Sequence, residues 1–272
     1  MSECTHDCST CSASCADRKP DKADFLKPMN KYSNIKKVIG VVSGKGGVGK
    51  SLVTCMLAAK CAKAGLKVGI LDADITGPSV PKSFGITTKA MQDEECLLPT
   101  VADGVEIMSI NLLLEDESSP VVWRGPVISG VIEQFWSDVR WGELDYLFVD
   151  MPPGTGDVAL TVFQSLPVDG IIIVSTPQDL VKMIVGKAVN MARLMDVPVL
   201  GLIENMSYYT CPDCGKKHSI FGESDIDETA AELCVPVLAK LPIDPEINRK
   251  VDAGRVYDVE LEELDGFVEA LK

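Results

Sequence analysis

The residues best placed to do chemistry are residues 44–51, GKGGVGKS. Gly44, Gly46, Gly47 and Gly49 leave a stretch of backbone bare of side chains, so its N–H groups can close on a ligand. Lys50 and Ser51 add an ammonium and a hydroxyl at the end of that stretch. An apolar β-branched run (Val38, Ile39, Val41, Val42) leads in and a helix-like segment leads out. This is the strand–loop–helix setting that G-x-x-x-x-G-K-[ST] requires. Converging N–H groups and a helix N-terminus attract phosphate oxygens. Lys50 is then expected to neutralise β and γ phosphates and Ser51 to bind Mg²⁺. The nucleotide contacts are expected to run through Gly44, Lys45, Gly46, Gly47, Val48, Gly49, Lys50, Ser51 and Leu52.

Carboxylates recur where such a loop needs them. LKVGILDAD is a continuous apolar run that delivers Asp72 and Asp74, at the end of a strand where ligands of open α/β sheets bind. They can position Mg²⁺ or an attacking water, or cap a following short helix. DYLFVDMPPGTGD ends a second apolar run in Asp150, like the strand-terminal acid that holds Mg²⁺ through water in phosphate-loop enzymes. Gly154 and Gly156 then allow a loop to follow the γ-phosphate.

Thiols form the second chemical set. Of ten cysteines, Cys4, Cys8, Cys11 and Cys15 crowd one short stretch, and Cys211 and Cys214 form a CPDC pair. Four close thiolates suit an iron–sulfur cluster or Zn²⁺, or form a tail without metal. A single C-x-x-C lacks two ligands. Two chains meeting on an axis would complete four; a redox pair or a partial zinc site with His218 are the alternatives. Cys55, Cys61, Cys96 and Cys234 sit in apolar or ordinary surroundings and read as core or boundary side chains.

The elements that must hold these groups alternate strand and helix. Residues 52–65 and 179–196 have helical spacing, as do Val127, Val131, Ile132, Phe135 and Trp136, which are expected to pack in the core. GIIIVSTPQ and VPVLGLIEN read as buried strands, the latter ending at Asn205, with a long loop over 206–222. A helix at 225–233, a strand at 236–241 and an acidic helix in the last fifteen residues complete the pattern. The expected fold is α/β: a doubly wound, mainly parallel sheet of P-loop NTPase type. Residues 1–34, polar and Cys-rich, are expected to be a disordered tail, and residues 35–272 the ATPase domain. Residues 87–120 read only as an irregular excursion.

The net charge of −14 argues against general nucleic-acid affinity and against docking on an anionic membrane. The N-terminal stretch has no apolar core of a signal peptide, and no uncharged run approaches the roughly eighteen residues of a span. A cytoplasmic location with reduced thiols is expected.

GKGGVGKS, LDADITGPSVP, DMPPGTGD, IENMS, and CPDCG followed by HSIFG together resemble the Mrp/ApbC-type iron–sulfur cluster carrier ATPases. These belong to the deviant-Walker class, with MinD, ParA and the nitrogenase iron protein. The resemblance spans roughly residues 35–255. It implies a homodimer in which Lys45 reaches the partner's nucleotide, Asp74 orients the hydrolytic water and Asp150 is the Mg²⁺-side acid. It further implies that Asn205 contacts adenine, with Pro242 and Asp244 closing over the base. Cys211 and Cys214 would bind a [4Fe–4S] cluster between subunits, for transfer to apo iron–sulfur proteins. The N-terminal cysteines resemble, with more compact spacing, the extension of the eukaryotic cytosolic scaffolds, which holds a second cluster. A MinD- or ParA-like positioning ATPase and a zinc-bound or redox-sensing ATPase are the competing readings. The first needs a basic surface or helix, whereas DVELEELDGFVEALK is acidic.

Overall fold

The computed structural model describes residues 25–75, 77, 79–114, 125–154, 156–177 and 181–271. Eleven strands and eight α-helices follow one another among these residues. They are β1 (Asn34–Ser43), α1 (Lys50–Lys63), β2 (Val68–Asp72), α2 (Val80–Ser83), β3 (Met91–Gln92), β4 (Leu97–Leu98), β5 (Thr100–Ala102) and β6 (Val105–Met108). After these come α3 (Gly125–Ser137), β7 (Glu143–Asp150), α4 (Asp157–Ser165), β8 (Gly170–Ser175), α5 (Val181–Leu194), β9 (Val199–Thr210) and β10 (Lys217–His218). The chain closes with α6 (Ile226–Leu233), β11 (Val237–Pro242), α7 (Pro245–Asp252) and α8 (Asp265–Leu271).

Seven strands run parallel in the order β11-β9-β8-β1-β7-β2-β6, with β5 antiparallel at one edge and β10 antiparallel on the tip of β9. The two faces bury separate apolar layers. Val38 and Val42 of β1 join Phe135, Trp136 and Phe163 beneath α3 and α4, while Ile39 and Val41 join Val53, Leu57 and Phe148 beneath α1. That alternation is the period-2 geometry of a strand covered on both sides. The doubly wound fold is as the sequence implies.

Four details differ from the sequence reading. Residues 25–33 lie against the domain: the Lys27 N–H donates to the Ser165 carbonyl, the Trp136 indole donates to the Lys27 carbonyl, and Asn30 is buried. Val127 is exposed, although Ile132, Phe135 and Trp136 are buried as expected. β9 does not stop at Asn205 but runs to Thr210. The acidic C-terminus forms a 3₁₀ turn (Glu262–Leu264) and the short α8 rather than one helix, because Leu261, Leu264, Phe267 and Val268 are drawn into the α1-side core.

Candidate functional site

Strand β1 ends in the core at Ser43, and the loop emerges at the C-terminal edge of the parallel strands. Gly47 and Gly49 both take φ near +80°, a left-handed conformation that disfavours any side chain. At Gly49 a Cβ would also sit 2.3 Å from the Asn205 amide nitrogen. The turn delivers the chain into α1, whose first residue is Lys50.

Lys50 and Asp150 are buried together. The ammonium lies 2.7 Å from Asp150 Oδ1, 3.2 Å from Ser51 Oγ and 3.7 Å from Asp74 Oδ2. The Ser51 hydroxyl donates to Asp150 Oδ2 at 2.5 Å. Thr54, one turn along α1, holds its hydroxyl 2.9 Å from Asp150 Oδ1. No local motif marks Thr54, but its place one turn after Lys50 on the same helix face is a readable cue. A buried pair such as Lys50–Asp150 stands only when its remaining lone pairs and protons find partners, and Ser51 and Thr54 supply them. A cavity of about 320 Å³ opens beside this cluster, lined by the loop together with Asp74, Ser79, Ser83 and Pro153.

Asp72 differs from its neighbour. It is fully buried, opposite Asp150 on the adjoining strand, and accepts hydrogen bonds from Ser109 Oγ (2.9 Å) and the Asp74 N–H (3.2 Å). Burial, with the Asp150 charge adding to it, pushes its carboxyl up to about 8. The two acids of LDAD are thus separated, Asp72 sunk in the sheet and Asp74 facing the loop cavity. Ser109 comes from 37 positions away, so no local sequence signal marks it.

A second cavity, about 250 Å³, brings together Leu52, Asn205, Pro242, Asp244 and Phe221. Leu52 lines both cavities. Asn205 Nδ2 donates to the Val48 carbonyl at 2.9 Å, tying β9 to the loop. The Asp244 carboxylate accepts from the Glu246 N–H at 2.8 Å and caps α7, with Pro245 in its first turn. Asp-Pro-Glu is a helix-start signal. Lys45 lies half-buried beside the first cavity's glycines.

Cys211 and Cys214 occupy the turn of a β-hairpin, not a loose loop. Met206 takes φ 57°, after which β9 continues outward and pairs with β10 at Thr210–Lys217 and Tyr209–His218. The Cys211 N–H donates to the Lys216 carbonyl and the Gly215 N–H to the Cys211 carbonyl, both at 2.9 Å. Backbone N–H groups of Cys214 and Asp213, then the Cys214 thiol, hydrogen-bond the Cys211 sulfur and lower its pKa, since such bonds favour the thiolate. Cys214 is exposed. Among the described residues no group of three or more His, Cys, Asp and Glu side chains is placed to hold a metal, so His218 does not complete a zinc site here. Burial pushes Cys55 well up and Cys61 to about 12, which fits inert core thiols; Cys96 is buried too, but Cys234 is an exposed helix cap. Cys4, Cys8, Cys11 and Cys15 lie outside the described residues.

An "Iron-sulfur cluster carrier protein" of Clostridium perfringens is 50% identical over 236 residues, covering 84% of this chain and 83% of that protein. One of the same name from Methanocaldococcus jannaschii is 47% identical over 260 residues, covering 93% and 90%. A nucleotide-binding protein of Archaeoglobus fulgidus, solved in complex with ADP, superposes with a TM-score of 0.76 at 44% identity, over 86% of this chain and 91% of that one. The description of the ParA-type NUBPL iron-transfer P-loop NTPases matches residues 34–269, nearly all of the described domain. The chain belongs to the NUBPL iron-transfer P-loop NTPase family.

Proposed function

We propose that this chain is an ATP-dependent iron–sulfur cluster carrier that works as a homodimer in the cytoplasm and delivers clusters to apo iron–sulfur proteins. The observation that carries the reading is the continuity of β9. One strand runs from Asn205, in the cavity adjoining the phosphate loop, to Cys211 at the hairpin turn. Cys211 and Cys214 offer two thiols per chain. A [4Fe–4S] cluster takes four, so two chains supply the set.

ATP would lie with its phosphates along Gly44, Lys45, Gly46, Gly47, Val48 and Gly49, its charge met by Lys50 and its base beside Leu52, Asn205, Pro242 and Asp244. Ser51 would hold Mg²⁺ with Asp150 as the acid beside it, and Asp74 would orient the attacking water. Lys45 would reach the partner's nucleotide, so that ATP sets dimer geometry and, through β9, how firmly the thiolates grip the cluster. Cys4, Cys8, Cys11 and Cys15 offer a further four-thiolate set for a second cluster.

Anaerobic reconstitution with iron and sulfide tests this. The wild-type chain should turn brown as a dimer, and Cys211→Ala/Cys214→Ala should lose the bridging cluster while still binding ATP. A colourless dimer with stoichiometric zinc, or a double variant that keeps its bridging cluster, refutes the cargo assignment. Lys50→Ala should lose ATP binding, and cluster transfer at an unchanged rate in that variant refutes the coupling. ATP-dependent pelleting with DNA or lipid vesicles would instead favour a positioning ATPase.

A further inference from the structure

The HSIFG stretch, by which the chain leaves the cysteine hairpin, has been given no role so far. Its His218 ends β10. Phe221 lies half-exposed at 45%, yet it lines the same cavity as Leu52, Asn205, Pro242 and Asp244. A half-exposed phenylalanine over a small, largely apolar cavity is surface that a flat ligand can cover.

The chain around it is fixed at both ends. On one side, β10 pairs with β9 at Tyr209 and Thr210. On the other, the hydroxyl of Ser224 donates to the Glu204 carboxylate and receives the Ile226 N–H. Glu204 is fully buried, precedes Asn205 on β9, and also accepts from Ser207 Oγ at 2.6 Å. The Gly222 N–H donates back to the Ser219 carbonyl, and Gly222 takes φ +91°, which turns the span tightly just after Phe221. The span is therefore a short strap, tied to the hairpin and to the residue beside Asn205, that holds one aromatic residue at the cavity.

We propose that Phe221 is a nucleotide-binding residue whose ring packs on the purine base and so joins the bound nucleotide to the strap that leaves the cysteine hairpin. The inference rests on the reading of these cavities as an ATP site and extends it to a residue outside the phosphate-loop, Asn205 and 242–244 segments. Packing a base on an aromatic ring is sequence-tolerant and strong enough to be read directly as affinity.

Calorimetric titration of the full chain with Mg-ATP and with Mg-tripolyphosphate, which carries phosphates but no base, separates the contributions. Phe221→Ala should weaken ATP about tenfold and leave tripolyphosphate within about twofold, while Phe221→Tyr should restore ATP binding. Because the side chain is half-exposed, its truncation leaves both core layers intact. Phe221→Trp should change its emission on adding ATP and not on adding tripolyphosphate. ATP affinity unchanged in Phe221→Ala, or equal losses for both ligands, overturns the assignment. Tripolyphosphate binding without ATP binding in the wild-type chain would instead overturn the nucleotide reading beneath it.

Discussion

Gly49→Ala puts the junction between the phosphate loop and β9 under a measurable load. At φ +80° an alanine bears the left-handed penalty of roughly 1–2 kcal/mol. Its Cβ would stand 2.3 Å from Asn205 Nδ2, so the amide must move and its 2.9 Å bond to the Val48 carbonyl breaks. A buried hydrogen bond of this kind contributes about 1 kcal/mol. Stiffening the unfolded chain returns roughly 0.4–1 kcal/mol. The net loss is about 2 kcal/mol, or roughly 4–8 °C in Tm for a chain of this size. Urea unfolding of Gly49→Ala, Asn205→Ala and the double variant isolates the clash. With the amide gone the alanine has nothing to strike, so the double variant should be more stable than the two single losses predict by about 1 kcal/mol. Losses that add to within about 0.3 kcal/mol refute the steric argument and leave only the backbone penalty.

Asp72 makes stability depend on pH. Its carboxyl, held up to about 8 by burial and the Asp150 charge, keeps a proton in the folded chain that the unfolded chain releases. Its contribution is therefore lost as pH rises from about 4 to about 8 and is level above that; Asp72→Asn should flatten this slope in urea midpoints taken across the range, and an unchanged slope contradicts it. At pH 7, iodoacetamide should modify Cys211 faster than free N-acetylcysteine, because backbone N–H groups lower its pKa, and the difference should close toward alkaline pH as both become thiolates. Asn30→Ala removes a donor to the Ser137 carbonyl (3.1 Å) and an acceptor for the Tyr32 N–H (2.9 Å). It should lower stability by about 1–2 kcal/mol and speed proteolysis at residues 25–33; an unchanged digestion rate would show that the segment is held elsewhere.

The phosphate loop, α1 and the buried parallel strands were legible because each carries its own local signal: glycines at fixed offsets, a 3.6-residue period, unbroken Val, Ile and Leu. The hairpin was not. Met206 is a left-handed residue within β9, residues 207–209 are only partly buried and Thr210 is exposed, so neither run nor alternation reveals that the strand continues. The C-terminal segment misled in the opposite direction. Its acidic residues suggested one helix, whereas Leu261, Leu264, Phe267 and Val268 are drawn into the same core layer as α1 and the segment forms short turns. Within the site, Lys50, Ser51 and Asp150 were readable from their motifs. Ser109 under Asp72 and Ser224 under Glu204 come from distant segments, and only the assembled fold brings them in.

The grip of Lys50, Ser51 and Thr54 on Asp150 also fixes how α1 is set on the sheet. Three contacts from just over one turn of helix meet a single carboxylate at the end of β7, the strand beside β1. A helix held in this way cannot slide along the sheet without leaving a buried charge unpaired, an expensive state. Burial also shields the contact from bulk salt. The register of α1 is therefore set by chemistry at one end, and the packing along its length has only to fit it.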